Sequence, residues 1–418
     1  MAGNLVKIKM GRLDKIFDSV ENGSLFKDKY VLQANYFPDN IPHRDKQIDQ
    51  VASILAPILR GDRTSNLFVY GLTGTGKTLS VKYIKDQLLK RYKKEDTKLR
   101  ILYINCKLKK VSDTEYRILA EIIKQLGSEV PATGLPTDQV YAKFVEILEE
   151  EKQSLLLILD EIDQAVKKIS DSFLYNLTRL NSELSKTQIS LVGISNDLKF
   201  LDSLDPRVRS SLGEEEIVFS PYNALQLKDI LKKRSERAFN KGVLEEGVLE
   251  KCAAYAAREH GDARRALDLL RISAELAERE GSKKISLKYI DMANSKIDKD
   301  KIFDIVESAP RQFQLVLNSI INLNKGNQAQ KTLQGTKINR IFTGDVYNNY
   351  QNLCEQTKTE ILTQRRVGDL IAEMDMVGLI NATVVSKGRH GRTREIKLSI
   401  PNQIMEKVSG ILSERLMI

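Results

Sequence analysis

The chain has 418 residues, of which 41% are hydrophobic and 29% charged, and its formal net charge at pH 7 is +10. This composition excludes a wholly disordered chain and predicts about two to three folded domains, while the lack of a long apolar run or a signal-peptide pattern favours an intracellular, cytoplasmic protein. The three cysteines lie far apart without C-x-x-C spacing, so the sequence implies neither a disulfide framework nor a zinc site.

The first predicted helix follows a proline. Residues 1 to about 35 mix charged and apolar positions, and we assign this arm no chemistry. Pro42 restrains the entry to a helix with apolar positions between 48 and 58. His43 and Arg44 at its start are typical of a solvated helix end. Only the glycine-rich loop that comes next supports a second interpretation, in which they lie beside a nucleotide base.

A strand, a glycine-rich turn and a helix follow in direct succession. The run 66–70 is apolar after Asn66, 71–78 fits the pattern G-x-x-x-x-G-K-[ST], and a helical pattern continues over 79–89. Glycines let the backbone approach phosphates closely, and the N–H groups at the helix N-terminus bind them. We expect Lys77 to reach the β- and γ-phosphates of ATP or GTP and Thr78 to bind Mg²⁺. The predicted phosphate cradle is Gly74, Thr75 and Gly76.

The pattern from 98 to 151 alternates between strand and helix. A strand is predicted over 98–106, a helix over about 114–126 and another over 138–151, after a loop marked by prolines and a glycine. Such alternation predicts a parallel sheet covered on both faces, which is an α/β fold.

Two adjacent carboxylates end the next strand. Residues 155–159 are all apolar, as expected for a strand buried on both faces, and Asp160 and Glu161 follow at the sheet edge where the phosphate loop also lies. In a nucleotide hydrolase Asp160 would hold Mg²⁺, and Glu161 would orient or deprotonate the attacking water. Acidic residues often end strands, so this pair indicates a nucleotide site only because a phosphate loop lies upstream.

One polar residue and two arginines follow the predicted strand 189–196. Asn196 at its end can hydrogen-bond a γ-phosphate or the lytic water, and an Asn that caps a turn is the ordinary alternative. Pro206 begins a helix that carries Arg207 and Arg209. Arg207 is a candidate arginine finger, which stabilises transition-state charge from the same or a neighbouring subunit, although a surface arginine is the commoner case.

The order of these motifs resembles that of the AAA+ ATPases, and in detail their initiator clade. The motifs are I-P-H-R at 41–44, the phosphate loop, L-D-E-I-D at 159–163, P-Y at 221–222 and G-D-A-R at 261–264. Nearly the whole chain resembles the archaeal origin-recognition and cell-division-cycle initiator proteins, which are homologues of the large subunit of the eukaryotic origin recognition complex.

The resemblance implies roles for the residues that match. Tyr222 and Arg234 match ATP contacts at the start of a helical lid, and Arg264 matches the lid arginine that senses the γ-phosphate. Asn196 matches the first sensor. The helical pattern from 224 to about 300 fits this lid, so nucleotide state can alter the angle between domains.

The resemblance also bears on several cations. Arg207 matches the arginine finger, with Arg209 a weaker substitute. The helix 114–126 lies where these initiators insert an extra helix against DNA. The lysines before it that fit a phosphate-contacting role are Lys107, Lys109 and Lys110. A solvated charged face explains these lysines equally well.

The last predicted domain has the order of a winged helix. Helices are predicted over 311–322, 343–357 and 363–376, followed by a hairpin between 379 and 400. Residues 308–418 contain fifteen Lys and Arg against nine Asp and Glu, which favours a polyanionic partner. The predicted contacts to base edges in the major groove are Gln364, Arg365 and Arg366. The predicted contacts of the wing to phosphates or the minor groove are Lys387, Arg389, Arg392 and Arg394.

These patterns predict an AAA+ ATP-binding base domain over 1–223, a helical lid over 224–305 and a winged-helix domain over 306–418. The resemblance implies an ATP-dependent replication initiator that binds duplex origin DNA beside other initiator subunits, within the nucleoid, and helps to load the replicative minichromosome-maintenance helicase. We expect slow ATP hydrolysis, since a switch must hold its ATP state. Two alternatives stay open: a clamp-loader or remodelling ATPase, and a winged-helix transcription regulator or STAND-type signalling ATPase.

Overall fold

The computed structural model describes residues 24–93, 97–107, 114–131, 134–334, 340–386 and 392–418. The chain divides into two compact units, with the boundary between Ala293 and Asn294. Within the described residues, no helix is both long enough and apolar enough to cross a membrane.

A parallel five-stranded sheet forms the centre of the first unit. The strands are β1 (Asn66–Tyr70), β2 (Lys98–Asn105), β3 (Gln153–Asp160), β4 (Thr187–Ser195) and β5 (Glu214–Val218), in the spatial order β2-β3-β4-β1-β5. In the register of the sheet, Tyr70 lies beside Ser195, and Asp160 lies beside both Asn105 and Ile194. The carboxyl ends of β1, β3 and β4 therefore meet at one edge, where open α/β sheets bind ligands. The predicted α/β fold class is confirmed.

Both faces of this sheet are buried. Successive side chains of a strand point to opposite faces, so Phe68 and Leu157 join one apolar core, whereas Leu67 and Ile158 join the other. The surrounding helices are α1 (Asp45–Leu55), α2 (Lys77–Arg91), α3 (Glu115–Gln125), α4 (Thr137–Leu148), α5 (Ile162–Ile169), α6 (Ser172–Arg179) and α7 (Pro206–Leu212). Burial on both faces explains why β3 is a continuous apolar run instead of an alternating one.

A helical lid completes the first unit. Its helices are α8 (Ala224–Ala238), α9 (Val248–Arg258) and α10 (Ala263–Arg279), and α11 (Leu287–Ser308) continues from it into the second unit. The 3₁₀ turn Lys29–Leu32 packs against α8 and α10. The backbone N–H groups of Lys27 and Asp28 both donate to the carbonyl of Ala238. Residues 24–32 therefore pack on the lid, although they fall within the range predicted for the base domain.

The second unit has the winged-helix arrangement. Its elements are α12 (Arg311–Gln334), β6 (Ile341–Phe342), α13 (Thr343–Gln356), α14 (Gln364–Met376), β7 (Ile380–Ser386), β8 (Arg392–Leu398) and α15 (Asn402–Leu416). The strands form an antiparallel sheet in the order β6-β8-β7. The predicted three helices and hairpin are present; the longer first helix, β6 and α15 are additions that the sequence pattern did not predict.

Candidate functional site

A cavity of about 550 Å³ lies between the sheet edge and the lid of the first unit. Its described lining comes from the phosphate loop and α2, from the ends of β3 and β4, from the lid helices α8 and α10, and from residues 33–42, which we call the strap. The predicted site residues among its lining are Gly74, Gly76, Lys77, Thr78, Asp160, Glu161, Asn196, Tyr222, Arg234 and Arg264. The structure thus brings together side chains from six parts of the sequence.

The phosphate loop packs directly on the lid. Gly74 and Gly76 have φ angles of +74° and +91°, which glycine adopts readily. A Cβ atom on Gly74 would stand 1.7 Å from Oδ1 of Asp262, and the N–H of Ala263 donates to the Gly74 carbonyl over 3.3 Å. Thr75 is buried, and its hydroxyl donates to the carbonyl of Leu72. A larger residue at position 74 is therefore excluded by the lid as well as by the backbone angle.

Lys77 is held at the floor of the cavity. Its ammonium donates to the carbonyls of Gly71 and Leu72 over 2.6 and 2.9 Å and to Oδ1 of Asn196 over 2.9 Å. Burial lowers the pKa of Lys77 to about 8, an effect that Asp160 opposes and the positive charge of Arg264 strengthens. An anion in the cavity would favour the charged form of this lysine.

The two predicted magnesium ligands face each other. The hydroxyl of Thr78 donates to Oδ2 of Asp160 over 2.9 Å, and the backbone N–H of Glu161 donates to Oδ1 over 3.0 Å. Glu161 begins α5 with a left-handed φ of +56°, and its carboxylate lies 3.7 Å from Nζ of Lys107. Oxygen ligands of this kind, with a bound polyphosphate and water supplying the remainder, suit Mg²⁺.

The lid contributes a buried cap and a cation. Asp262 caps α10 by accepting the N–H groups of Arg264 and Arg265 over 2.7 and 3.4 Å. Burial raises the pKa of Asp262, which these two donors oppose. The cap fixes the start of the helix that carries Arg264 into the cavity wall, where its charge acts on Lys77.

Arg44 lies behind the phosphate loop. Its side chain is 3% exposed, and its guanidinium donates to the carbonyls of Thr75 and Ser220 over 2.8 and 2.6 Å. It also stacks on the ring of Tyr222 at 3.8 Å. His43, with a φ of +62°, places Nε2 2.9 Å from Oδ2 of Asp229 on α8. Neither His43 nor Arg44 is among the described residues that line the cavity, and the contacts of both support the loop and the lid.

The strap and the lid hold each other. Arg234 donates to the carbonyl of Val31 over 3.1 Å and lies over the ring of Tyr36 at 4.4 Å, while Arg237 donates to the Tyr36 hydroxyl over 3.1 Å. The hydroxyl of Tyr222 stands 2.9 Å from where a Cβ on Gly76 would lie. Sequence reasoning assigned no role to Tyr36, because the strap has no motif and its aromatic pattern matches an ordinary loop.

The two candidate finger arginines differ in their surroundings. The side chain of Arg207 is 87% exposed and bonds only its own helix cap, Asp205, among the ion pairs of the described residues. Arg209 is within ion-pair distance of Asp202, at 3.0 Å, and of Glu214, at 3.8 Å. Arg207 thus presents its charge outward, whereas Arg209 is engaged within its own chain.

The second unit presents a polar helix start. Gln364, Arg365 and Arg366 are exposed at the N-terminus of α14, which Thr363 caps. Arg394 on β8 donates from its guanidinium to the carbonyl of Gly368 within α14 over 2.5 Å. The predicted contacts that lie outside the described residues are Lys109, Lys110, Lys387 and Arg389, and of Arg392 only the backbone is described.

Comparison with protein families covers most of the chain. Residues 60–201 match the family described as "AAA domain", residues 228–295 the "Cdc6 AAA+ ATPase-type lid domain", and residues 304–408 the "CDC6, C terminal winged helix domain". The ORC1-type DNA replication protein of Pyrococcus abyssi is 49% identical, over 93% of this chain and 91% of its own length. ORC1-type DNA replication protein 1 of Methanosarcina mazei is 48% identical, over 96% and 94%.

Solved structures show the same arrangement. The Aeropyrum pernix ORC1 protein in complex with DNA is 41% identical, with a TM-score of 0.80 over 93% of this chain and 97% of its own. The Aeropyrum pernix ORC2 protein, solved as ADPNP-ADP complexes, has a TM-score of 0.57 at 23% identity over 94% and 100%, which shows a shared fold.

Proposed function

The chain belongs to the archaeal ORC1/Cdc6-type DNA replication initiators, which bind origin DNA, and we propose that it acts on that DNA as a switch controlled by ATP. Its AAA+ domain is a nucleotide-binding domain. The observation that carries the proposal is the single cavity in which the phosphate loop, two carboxylates, Asn196 and the lid arginine Arg264 meet. A ligand there touches base domain and lid at once, so its phosphates can set the angle between them.

The residues fit ATP or ADP with Mg²⁺. Lys77 would move from the loop carbonyls that it now contacts to the β- and γ-phosphates, and backbone N–H groups from Gly74 to Thr78 would cradle the phosphates. Thr78 and Asp160 would hold Mg²⁺, which neutralises phosphate charge when bound. The cavity volume also agrees with the range of small-molecule and cofactor sites, about 300–1,000 Å³.

Hydrolysis would use groups at the same edge. Glu161 follows the metal carboxylate and would orient water, while Asn196, which accepts from Lys77, and Arg264, which lines the same cavity, would contact the γ-phosphate. In this chain Glu161 is paired with Lys107 and Asn196 with Lys77.

Arg207 would act on the site of a second copy. It does not appear among the described residues that line the cavity of its own chain, and it is exposed at the N-terminus of α7. A cation in this position can complete a neighbouring site, as arginine fingers do. Mixing Arg207→Ala with Lys77→Ala tests this: hydrolysis by the mixture above that of either variant supports action between subunits, and no gain contradicts it.

The winged-helix unit would supply the duplex contacts. Gln364, Arg365 and Arg366 lie where a recognition helix enters the major groove, and the wing hairpin follows. We propose the helix around 114–126 with its preceding lysines as a second contact to phosphates. We also propose the replicative minichromosome-maintenance helicase and other initiator subunits as partners. As domain limits we propose 1–223 for the base domain, 224–305 for the lid and 306–418 for the winged-helix domain.

Equilibrium binding of ADP and ATP to the full chain tests the nucleotide part of this proposal. The affinity of Lys77→Ala should fall about 10–100-fold, because charge-assisted hydrogen bonds contribute about 1.5–3 kcal/mol. Lys90→Ala, on the exposed end of the same helix, is the control and should bind like wild type. Equal affinity of Lys77→Ala and wild type would contradict the assignment of the loop.

A further inference from the structure

A tyrosine that no motif marks contacts the magnesium-ligand carboxylate. Tyr103 lies on β2, and its hydroxyl donates to Oδ2 of Asp160 over 2.5 Å. The same oxygen accepts the hydroxyl of Thr78, and the other carboxylate oxygen accepts the N–H of Glu161. Three donors, one on β2, one on α2 and one in the backbone that follows β3, therefore fix the rotation of the Asp160 side chain.

The sheet register explains how Tyr103 reaches this position. Asn105 pairs with Asp160, and Tyr103 pairs with Ile158 one step earlier on the same face. The Tyr103 side chain extends along β3 to the carboxylate, and Nζ of Lys82 lies 4.0 Å from its ring centroid.

A count of acceptor sites shows what this contact does. A carboxylate has about four lone-pair positions, two on each oxygen. Tyr103 and Thr78 occupy both positions of Oδ2, and the N–H of Glu161 occupies one position of Oδ1. One direction on Oδ1 remains for a metal ion or a metal-bound water. Without the tyrosine, Oδ2 would have a free position, and two donors instead of three would hold the carboxylate in this orientation.

We propose that Tyr103 is a positioning residue that orients Asp160 toward the magnesium–nucleotide complex. The inference rests on the proposed function and deepens it, because it adds a positioning residue behind the two metal ligands of that site. Tyr103 is not among the described residues that line the cavity, so it acts through Asp160 and not on the nucleotide. Partners of metal ligands typically change metal affinity or activity about 10–100-fold when they are mutated.

The test compares Tyr103→Phe with Tyr141→Phe. Tyr141 also donates its hydroxyl to a carboxylate, that of Glu115, over 2.6 Å in the same unit, and so it is a matched control for the loss of such a bond. The readouts are the affinity for ADP in EDTA and the Mg²⁺ concentration that gives half of the magnesium-dependent gain in ATP affinity. For Tyr103→Phe we expect that Mg²⁺ concentration to rise about 10-fold while the affinity in EDTA stays within about twofold of wild type.

The other outcomes contradict either this inference or the magnesium site on which it rests. A Tyr103→Phe protein with the Mg²⁺ dependence of wild type would overturn the inference. So would an equal shift in Tyr141→Phe, or a loss of ADP affinity in EDTA, because both point to the fold and not to the metal side. A wild-type protein whose ATP affinity ignores Mg²⁺ would refute the proposed magnesium site itself, and this inference with it.

Discussion

Replacing Arg44 with alanine separates two accounts of this residue. If Arg44 supports the phosphate loop from behind, its loss destabilises the first unit even without nucleotide. The variant would leave the carbonyls of Thr75 and Ser220, now bonded at 2.8 and 2.6 Å, without their donor and would remove the stacking on Tyr222. Unsatisfied buried acceptors cost about 1–3 kcal/mol each, and a desolvated cation–π contact contributes about 2 kcal/mol, so for two acceptors and one ring contact we expect a loss of about 4–8 kcal/mol.

Thermal unfolding of the nucleotide-free protein measures this loss. A change of this size corresponds to a decrease in the melting temperature of the first unit on the order of 10 °C. Arg44→Lys should recover only part of the lost stability, because a single ammonium cannot donate to both carbonyls in the way that the forked guanidinium does. Arg60→Ala, which removes an exposed ion pair with Asp62, is the control and should change stability by less than about 1 kcal/mol.

The ADP affinity of the same variants shows whether Arg44 supports the phosphate loop or contacts the nucleotide. We expect ADP binding by Arg44→Ala to weaken together with the melting temperature, since the loop loses its support. A variant with an unchanged melting temperature and a lost affinity for ADP would show that Arg44 contacts the nucleotide directly, as the sequence suggested. That result would refute the supporting role derived from the structure.

Three further predictions concern catalysis, DNA binding and the cysteines. Glu161→Gln should bind ATP like wild type and hydrolyse it about 10²–10⁴-fold more slowly, as single-turnover assays can show; unchanged hydrolysis would exclude Glu161 as the base. Arg365→Met should weaken binding by about 1–3 kcal/mol and relax the preference for one base, as for a lost base contact, whereas Arg394→Met should weaken binding with the base preference and the salt dependence little changed because its guanidinium bonds Gly368; an unchanged base preference in Arg365→Met would contradict its place in the major groove. Burial raises the pKa of the Cys106 and Cys252 thiols to about 12, so thiolate-specific reagents at pH 8 should not modify these two residues in the folded protein; rapid labelling of either one in the native state would contradict this. Stability should also fall as the pH rises above about 9, where only the unfolded chain loses these protons.

The sequence predicted those parts of the site that local patterns encode. The run 66–70, the glycine loop and the carboxylates after β3 could be placed because a buried parallel strand is apolar throughout and its carboxyl end faces the ligand edge. The lid arginine and the winged helix followed from motif order. Elements without such a pattern, the two-residue β6 and the C-terminal α15, were missed.

The remaining contacts depend on residues far apart in the chain. Arg44 reaches Ser220, Arg234 reaches Val31, and Tyr103 reaches Asp160 only after the sheet and lid have formed. A buried arginine has the same appearance in the sequence as an exposed one at a helix start. The sequence alone could not show that Arg44 is buried behind the phosphate loop, because burial, and not residue type, decides its contacts.

Footprinting of the purified protein on genomic DNA of its source organism, with ATP and with ADP, tests the central claim most directly. The account predicts protection of duplex DNA at a few discrete intergenic sites, with the pattern or affinity changed by the nucleotide. Protection in front of genes throughout the genome, or identical binding in both nucleotide states, would contradict an ATP-controlled initiator.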